Sequence, residues 1–426
     1  MEIRLQAPPA TPEVALPLAY GELDRSIFLL LAAVLTLLGL GIVMVFSASA
    51  VEAAGAGEGG SPLAPLWSHG IKVAFAVALL FVTSRLNPRR FVEFAKPAWI
   101  ASLVLLVLVL IPGIGVLSNG SRRWMNTHTL IGFALQPSEV AKLCVVLALA
   151  AWVAKVEDIG ADFRKTFLPG ALMVLAPCAL ILLETDFGTS MLLAALGFLL
   201  LLLAGARVYH LLALGAIGLP VVLLFLWINP RTQYIFRRIG AFADHHLGED
   251  SAVVTGLPTQ VDFAASALQV GGLSGVGLGA GRHKLYFLAE GENDFILANI
   301  GEELGFIGTT AVLLLFAPLL WSGRRVLLGM RHRFGFFVLA GVLITVAIQA
   351  LMNIFVAVRW APVKGIPLPF VSSGGSSLTV LCVGLGIALA CARHAESTDP
   401  ALGPDRDDLD GADLDGADAP DQGTAT

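Results

Sequence analysis

The chain has 426 residues, of which 56% are hydrophobic and only 14% are charged, and its mean hydropathy is +0.81. Soluble globular proteins carry about 25% charged residues, so this composition excludes an ordinary soluble domain and predicts an all-α polytopic membrane protein. The net charge of −5 shows no basic excess, and no nucleic-acid partner is expected.

The N-terminal segment, residues 1–26, has no apolar stretch after a basic start and therefore does not resemble a cleaved signal peptide. From residue 27 to residue 393, apolar runs of bilayer-crossing length recur, which predicts a ten-span transmembrane domain. The predicted spans are 27–50, 67–84, 97–115, 138–156, 167–184, 189–206, 208–228, 297–321, 335–358 and 376–393.

Lysine and arginine are concentrated in alternate loops, and this bias places those loops in the cytoplasm. Both termini are then cytoplasmic, and the longest loop, about residues 229–294, lies outside the membrane. The C-terminal tail, residues 394–426, is predicted to be a disordered cytoplasmic segment because acidic residues dominate it. The basic residues assigned to the cytoplasm are Arg85, Arg89, Arg90, Lys96, Arg164, Lys165, Arg207, Arg324, Arg325, Arg331, Arg333 and Arg393.

Nine basic residues fall on the predicted external face, against the insertion bias. Any one of them could serve loop solubility, but as a set they indicate an external site for an anion. They are Arg122, Arg123, Arg231, Arg237, Arg238, Arg282, Lys284, Arg359 and Lys364.

The stretch NGSRRWMNTHTLIGFALQPSEVAKL, residues 119–143, leads into the fourth span. Its alternation of apolar and polar residues around Trp124 is typical of an element lying in the membrane interface. Pro137 then occupies the favoured first turn of a helix. Glu139 and Lys142 are three residues apart and share one helix face. They form either a self-neutralising pair that orients the helix or a charged wall of a substrate cavity.

The stretch ETDFGTSMLL, residues 184–193, forms a short external turn between the fifth and sixth spans. Asp186 and Thr189 fit simple helix capping. The neighbouring Glu184 makes the turn more acidic than a cap requires, so a functional role stays open.

A glycine-dense stretch, QVGGLSGVGLGAGRHKLYF, precedes the acidic stretch FLAEGENDFILANIGEELGFIG at residues 287–308. The first lacks the GK[ST] ending of a phosphate-binding loop, and a flexible wrapper or a re-entrant turn is expected instead. Ionised side chains are costly at the membrane, so the acids of the second need partners or a function. Glu302 and Glu303 point about 100° apart on a helix and are expected to pair with arginine or backbone groups. The other three acids are Glu290, Glu292 and Asp294.

The stretch NIFVAVRWAPVKGIPLPFVSSGGSS, residues 353–377, precedes the last span. Its three prolines forbid a continuous helix, and irregular backbone at membrane depth is tolerated where it lines a cavity. Serine hydroxyls and exposed amides offer donors to phosphate oxygens, while Lys364 adds a positive charge. An irregular external turn without function is the alternative.

These four motifs, in this order, resemble the SEDS family of bacterial shape, elongation, division and sporulation proteins. The family patterns are GxxRW followed by QPSExxK, PDxGT, a glycine-rich stretch leading to PExxxDFIFxxIGEELG, and NI…PxxGIPLPFxSxGGSS. The resemblance covers about residues 22–393. GLGIVMVFSASAV in the first span and PVKG before IPLPF are more similar to the cell-division branch, FtsW, than to the elongation branch, RodA.

The resemblance implies a peptidoglycan glycosyltransferase that polymerises lipid II, the undecaprenyl-diphosphate-linked disaccharide peptide, at the outer face of the bacterial inner membrane. It also implies a class B penicillin-binding protein as transpeptidase partner, together with other division proteins. No cofactor is evident, and a divalent cation, Mg²⁺ or Mn²⁺, is left open. A flippase for the lipid-linked precursor and a non-catalytic scaffold remain as alternatives.

Asp294 matches the family's essential acid, and the hypothesis is that it acts as the general base of an inverting transfer. The chain departs from the family where Thr185 replaces the proline of PDxGT and where Ala289–Asn293 replaces the usual residues before the acid. These departures leave the loop details open. The candidate substrate-binding residues are Arg123, Trp124, Gln136, Glu139, Lys142, Asp186, Glu290, Lys364, Ser372, Gly374, Gly375 and Ser376.

Overall fold

The computed structural model describes residues 20–55, 61–118, 121–127, 132–156, 159–160, 162–229, 232, 235–236, 240, 260–285, 291–361 and 365–394. Residues 1–19 and 395–426 of the predicted terminal segments lie outside this set, as does the middle of the predicted external loop.

Each of the ten predicted spans coincides with a helical segment in the described chain. Eight of these segments are long and apolar enough to cross a bilayer, α6 is a shorter apolar helix, and α4, with 17 residues, is not among the eight. The predicted all-α polytopic membrane fold is therefore confirmed. The span helices are α1 (Tyr20–Gly55), α2 (Ala64–Thr83), α3 (Pro88–Leu110), α4 (Pro137–Val153), α5 (Leu168–Leu183), α6 (Phe187–Leu203), α7 (Val208–Ile228), the consecutive pair α9 (Ile296–Leu314) and α10 (Phe316–Leu328), α11 (Arg333–Ala357) and α12 (Gly375–Arg393).

Shorter elements complete the described chain. A π-helical turn, Phe163–Phe167, leads into α5, and the helix α8 (Gln260–Gly271) is followed by a 3₁₀ turn, His283–Leu285. Asp162 caps the π-helical turn, because its carboxylate accepts from the amides of Arg164 and Lys165 at 2.7 and 3.1 Å.

A β-hairpin stands where the sequence indicated an interfacial element. Strands β1 (Gly115–Ser118) and β2 (Ser121–Met125) pair antiparallel, with Val116 opposite Trp124. Gly115 allows the hairpin to fold back on α3, since a Cβ there would lie 1.8 Å from the carbonyl oxygen of Val109. Met125 and Leu135 then exchange backbone hydrogen bonds of 2.8 and 3.1 Å, which brings the chain to the start of α4.

Among the eight helical segments long and apolar enough to cross a bilayer, α11 and α12 are the most buried, with 72% and 78% of the most apolar window buried, against 11% for α7. Helix α12 packs closely on α2: a Cβ on Gly386 would lie 2.0 Å from Thr83 Oγ1, and one on Gly375 would lie 3.3 Å from Lys72 Cδ. From the contact at Gly375 to the contact at Gly386, both helices advance by eleven residues, so they run in the same direction. Helices α11 and α12 therefore lie at the centre of the bundle, while α7 lies at its periphery.

Gly305 breaks the predicted eighth span. Its φ of 69° and ψ of −168° belong to a region that glycine alone enters readily. The amides of Phe306 and Ile307 bond to the carbonyls of Gly272 and Leu273 at 2.8 and 3.1 Å. The glycine-rich segment is therefore docked into the helix break by backbone hydrogen bonds. The sequence predicts a flexible wrapper or a re-entrant turn here, and that role stays a prediction.

Candidate active site

The predicted functional segments meet at one end of the helix bundle. The amide of Gln136, at the start of α4, donates to Ser376 Oγ, at the start of α12, at 3.1 Å. The backbone oxygen of Asp294, just before α9, accepts from Asn353 Nδ2 near the end of α11 at 2.9 Å. In an up-and-down bundle, the ends of odd-numbered spans and the starts of even-numbered spans lie on the same side. Helices α4, α9 and α12 belong to the fourth, eighth and tenth spans, and α11 is the ninth. The starts of the first three and the end of the last therefore lie on the same side.

The candidate base, Asp294, lies in a turn held from two helices. Asn353 Nδ2 also donates to the carbonyl of Ile366 at 3.0 Å, and Asn299 Nδ2 donates to the carbonyl of Gly291 at 2.8 Å. The Asp294 carboxylate faces Gly365, where an added Cβ would lie 3.1 Å from Oδ2. The half-buried carboxylate thus lies against the start of the segment Gly365–Gly374.

Two predicted phosphate-binding serines support this turn. Ser372 Oγ donates to the carbonyl of Asn293 at 2.7 Å and accepts from the amide of Leu368 at 2.8 Å. Ser373 Oγ donates to Asn293 Oδ1 at 2.5 Å. Both hydroxyls are engaged within the protein, so their observed role is to position the residue that precedes Asp294.

Glu292 brings two further helices to the same turn. Its carboxylate accepts a short hydrogen bond from Ser49 Oγ of α1 and interacts electrostatically with Lys72 of α2. Lys72 was absent from the sequence-based candidates. A lone lysine inside an apolar helix is itself a signal, since such residues usually face a cavity or a partner.

Gln136 connects the start of α12 to the turn between α5 and α6. Ser376 Oγ donates to the carbonyl of Ala134 at 2.9 Å, and Gln136 Nε2 lies 3.4 Å from Asp186 Oδ2. Asp186 caps α6 by accepting from the amide and hydroxyl of Thr189 at 3.0 and 2.9 Å. The capping interpretation is therefore what the structure displays at Asp186.

Arg123 of β2 contacts the turn between α5 and α6. Its guanidinium donates to the carbonyls of Thr185 and Glu184 at 2.6 and 3.4 Å, which satisfies acceptors at the end of α5. Thr185 has a φ of 62°, unusual for a residue other than glycine. Trp124 follows in β2 and is half-buried. Arg123 thus fixes this turn.

Glu184 lies immediately after the membrane-spanning segment, and its side chain is 1% exposed. Neither carboxylate oxygen has a hydrogen-bond partner within the described residues. Burial, with a further contribution from Asp186, raises its pKa and Arg123 lowers it, for a net pKa of about 9. The side chain is therefore protonated at neutral pH.

Glu184→Gln is expected to make stability less dependent on pH. The carboxyl has a higher pKa in the folded state than the ordinary value of 4.5, so its contribution is complete below about pH 4.5 and is lost as the pH rises through 9. The variant should therefore unfold at a higher temperature than the wild type at pH 8.5 and at a similar temperature at pH 5. Thermal unfolding of the purified proteins measures this, and parallel curves would contradict it.

The predicted Glu139–Lys142 pair is present at the start of α4. Lys142 Nζ lies 2.7 Å from Glu139 Oε1, and the two residues are 3% and 4% exposed. Both line a cavity of about 20 Å³ beside Thr345, which is enough for about one water molecule. The pairing is confirmed, while a role as a substrate-cavity wall stays a prediction.

Glu302 and Glu303 are both 1% exposed and both bind the glycine-rich segment. Glu302 accepts from the amide of Arg282 at 2.8 Å and contacts His283 Nδ1 at 2.9 Å. Glu303 pairs with Lys284 Nζ at 2.6 Å. The expectation of partners is confirmed, although the cation is a lysine rather than an arginine. The side chains of Glu302 and Glu303 point in different directions, yet both bind neighbouring residues of the glycine-rich segment.

The predicted external cations mostly have partners inside the protein. Arg122 donates to the carbonyl of Gly115 at 3.0 Å, and Arg359 forms a short ion pair with Asp262 of α8. With Arg123 and Lys284, four of the five members within the described residues are engaged in this way. The other four, Arg231, Arg237, Arg238 and Lys364, lie outside the described residues, as does the candidate site residue Glu290.

A divalent cation finds no obvious donor set in the described part of the chain, where no group of three or more His, Cys, Asp or Glu side chains could hold a metal ion. The involvement of Mg²⁺ or Mn²⁺ stays a prediction.

The chain is similar to proteins of one family. The family model named for FtsW, RodA and SpoVE, described as a cell cycle protein, matches residues 28–397. Stage V sporulation protein E of Bacillus subtilis (strain 168) is 37% identical over 369 residues, which is 86% of this chain and 97% of that protein. A probable peptidoglycan glycosyltransferase FtsW of Trichlorobacter lovleyi is 35% identical over 378 residues, or 88% of this chain and 94% of that protein.

Solved structures share the fold. A chain from "Structural coordination of polymerization and crosslinking by a peptidoglycan synthase complex" is similar with a TM-score of 0.66 and 27% identity, covering 87% of this chain and 98% of that one. The rod shape determining protein RodA of Thermus thermophilus gives a TM-score of 0.60 and 25% identity, covering 91% and 100%.

Proposed function

Because the chain belongs to the FtsW, RodA and SpoVE family of cell cycle proteins, we propose that it is a peptidoglycan glycosyltransferase. It polymerises lipid II into glycan strands at the outer face of the bacterial inner membrane. The relatives named probable peptidoglycan glycosyltransferase FtsW support the reaction class and favour septal wall synthesis during division over the elongation role.

The observation that carries the mechanism is the position of Asp294. Its turn is fixed by Asn353 and Ser372, and its half-buried side chain lies against Gly365. A general base must be held in a fixed position near the proton that it removes. We assign Asp294 that role because it lies in this fixed turn beside the segment Gly365–Gly374.

In the reaction, the 4-hydroxyl of one sugar attacks the anomeric carbon of another. The bond from that carbon to the lipid diphosphate breaks, and configuration is inverted. Asp294 accepts the hydroxyl proton as the new glycosidic bond forms. Negative charge develops on the departing diphosphate, which calls for fixed donors on that side.

The lipid tail has an apolar surface available near the same end of the bundle. A cavity of about 710 Å³ lies between α5, α6 and α7, and its lining includes Phe187 and Ser190 of the turn that follows Asp186. The rest of the lining is almost wholly apolar, as a polyprenyl chain requires. We assign the undecaprenyl chain to this cavity.

A class B penicillin-binding protein is the proposed crosslinking partner, with other division proteins around it. The similar solved chain that belongs to a peptidoglycan synthase complex supports this pairing. The external loop, the cytoplasmic termini and the acidic tail at 394–426 keep their sequence-based assignments in this proposal.

The test is to incubate the purified protein with labelled lipid II, with and without its cognate transpeptidase, and to resolve the products by electrophoresis. We expect a ladder of glycan strands whose formation requires this chain. Movement of lipid II across vesicle membranes without any polymer would instead indicate a flippase. Absence of both would remove the proposed function.

A further inference from the structure

We propose that Lys72 and His69 of α2, together with the amides that open α12, form the subsite for the diphosphate of the donor lipid. This subsite rests on the proposed function, because it assigns a place to the group that leaves in that reaction. Lys72 and His69 belong to none of the motifs that the sequence analysis identified.

Lys72 places a positive charge beside the start of α12. The side chain passes over Gly375, where an added Cβ would lie 3.3 Å from Lys72 Cδ. A lysine within an apolar span is costly unless it faces a partner or a polar cavity. Lys72 is only partly buried.

The start of α12 offers backbone donors in the same place. Gly374 is the residue before the helix, and no side chain caps the first turn. The first helical hydrogen bond runs from the amide of Leu378 to the carbonyl of Gly374 at 3.0 Å. The amides of Gly375, Ser376 and Ser377 therefore point out of the helix, where the positive end of its dipole favours an anion.

His69 is a second observation that points to a ligand. It lies one turn before Lys72 on the same face of α2 and interacts electrostatically with it. Its side chain is 2% exposed, and neither ring nitrogen has a hydrogen-bond partner in the described structure. An unsatisfied buried polar ring is destabilising. Because α2 and α12 are parallel, this ring lies level with the segment just before Gly374.

Charge and position favour the donor diphosphate over the acceptor diphosphate. Lys72 interacts with Glu292, which lies two residues before Asp294. The departing diphosphate is attached to the reacting carbon, on the face opposite the attacking hydroxyl, so it lies nearer the base than the acceptor's diphosphate does. The acceptor carries its own diphosphate at the far end of a disaccharide from the attacking hydroxyl. A subsite beside Glu292 therefore fits the leaving group.

The test is direct binding of undecaprenyl diphosphate to the purified protein in phosphatidylcholine nanodiscs. Lys72→Met should raise the Kd by about tenfold or more, since a charge-assisted hydrogen bond is worth about 1.5–3 kcal/mol. Lys72→Arg should stay within about threefold, because it keeps the positive charge. Lys155→Met, an exposed lysine beyond α4, is the matched control and should bind like the wild type.

Further measurements distinguish a loss of binding from a folding defect and identify the group that is bound. The double variant Lys72→Met/Glu292→Gln leaves no unpaired carboxylate, and it should bind as weakly as Lys72→Met. Inorganic pyrophosphate should compete, whereas phosphatidylglycerol in the nanodisc should not. A Kd for Lys72→Met within twofold of the wild type, or equal competition by phosphatidylglycerol, would overturn the subsite. Lysine-dependent binding by a protein that forms no polymer would keep the subsite and reject the proposed reaction.

Discussion

Asp294→Asn is expected to reduce glycan-strand formation from lipid II by about 10²- to 10⁴-fold, the usual contribution of a general base. The amide has nearly the same shape as the carboxylate but cannot accept the proton. The bond from Asn353 Nδ2 reaches the backbone oxygen of Asp294, so the turn should keep its position. Initial rates with labelled lipid II measure the change, and thermal unfolding checks that the protein remains folded.

Asp162→Asn provides the matched control for this experiment. Asp162 caps the turn before α5 at the opposite end of the bundle, and asparagine is an equally good capping residue. Its rate should equal that of the wild type. If Asp294→Asn also kept the wild-type rate, a different group would have to remove the proton.

Lys284→Met is expected to destabilise the protein by about 3–5 kcal/mol, the range found when one partner of a buried ion pair is removed. Lys284 Nζ donates to Glu303 at 2.6 Å, to the carbonyl of Ser47 at 2.9 Å and to the carbonyl of Gly279 at 3.0 Å. Its loss leaves the Glu303 carboxylate with uncompensated charge. Denaturant unfolding in detergent measures the change in free energy.

Adding Glu303→Gln to Lys284→Met should recover part of this stability, since the buried charge is then absent. Lys96→Met, at an exposed position in α3, should change the free energy of unfolding by less than about 0.5 kcal/mol. Equal effects of Lys284→Met and Lys96→Met would show that the pair contributes little to stability.

The sequence predicted the features that depend on local spacing. Apolar run length located a helix at each of the ten predicted positions, eight of them long and apolar enough to cross a bilayer. Pro137 marked the start of α4, and the three-residue interval predicted the Glu139–Lys142 pair. Each of these follows from the geometry of one helix. The membrane orientation, in contrast, depends on charge bias and remains a prediction.

The features that sequence reasoning missed depend on residues far apart in the chain. Lys72 faces Glu292, which is 220 positions later in the sequence, and no local period relates the two. The break at Gly305 arises because the segment around Gly272 and Leu273 supplies the backbone partners of residues 306 and 307. A glycine at position 305 permits the helix break, but the sequence around it does not show which segment supplies the partners.

The support of the Asp294 turn by Asn353 and Ser372 affects how mutational scans of this enzyme class are interpreted. Alanine at either position would remove a hydrogen bond that holds this turn and would lower activity, although neither side chain need contact a sugar. Loss of function alone would then not distinguish residues that support the loop from residues that take part in the reaction. Measurements that separate substrate affinity from turnover are needed to tell them apart.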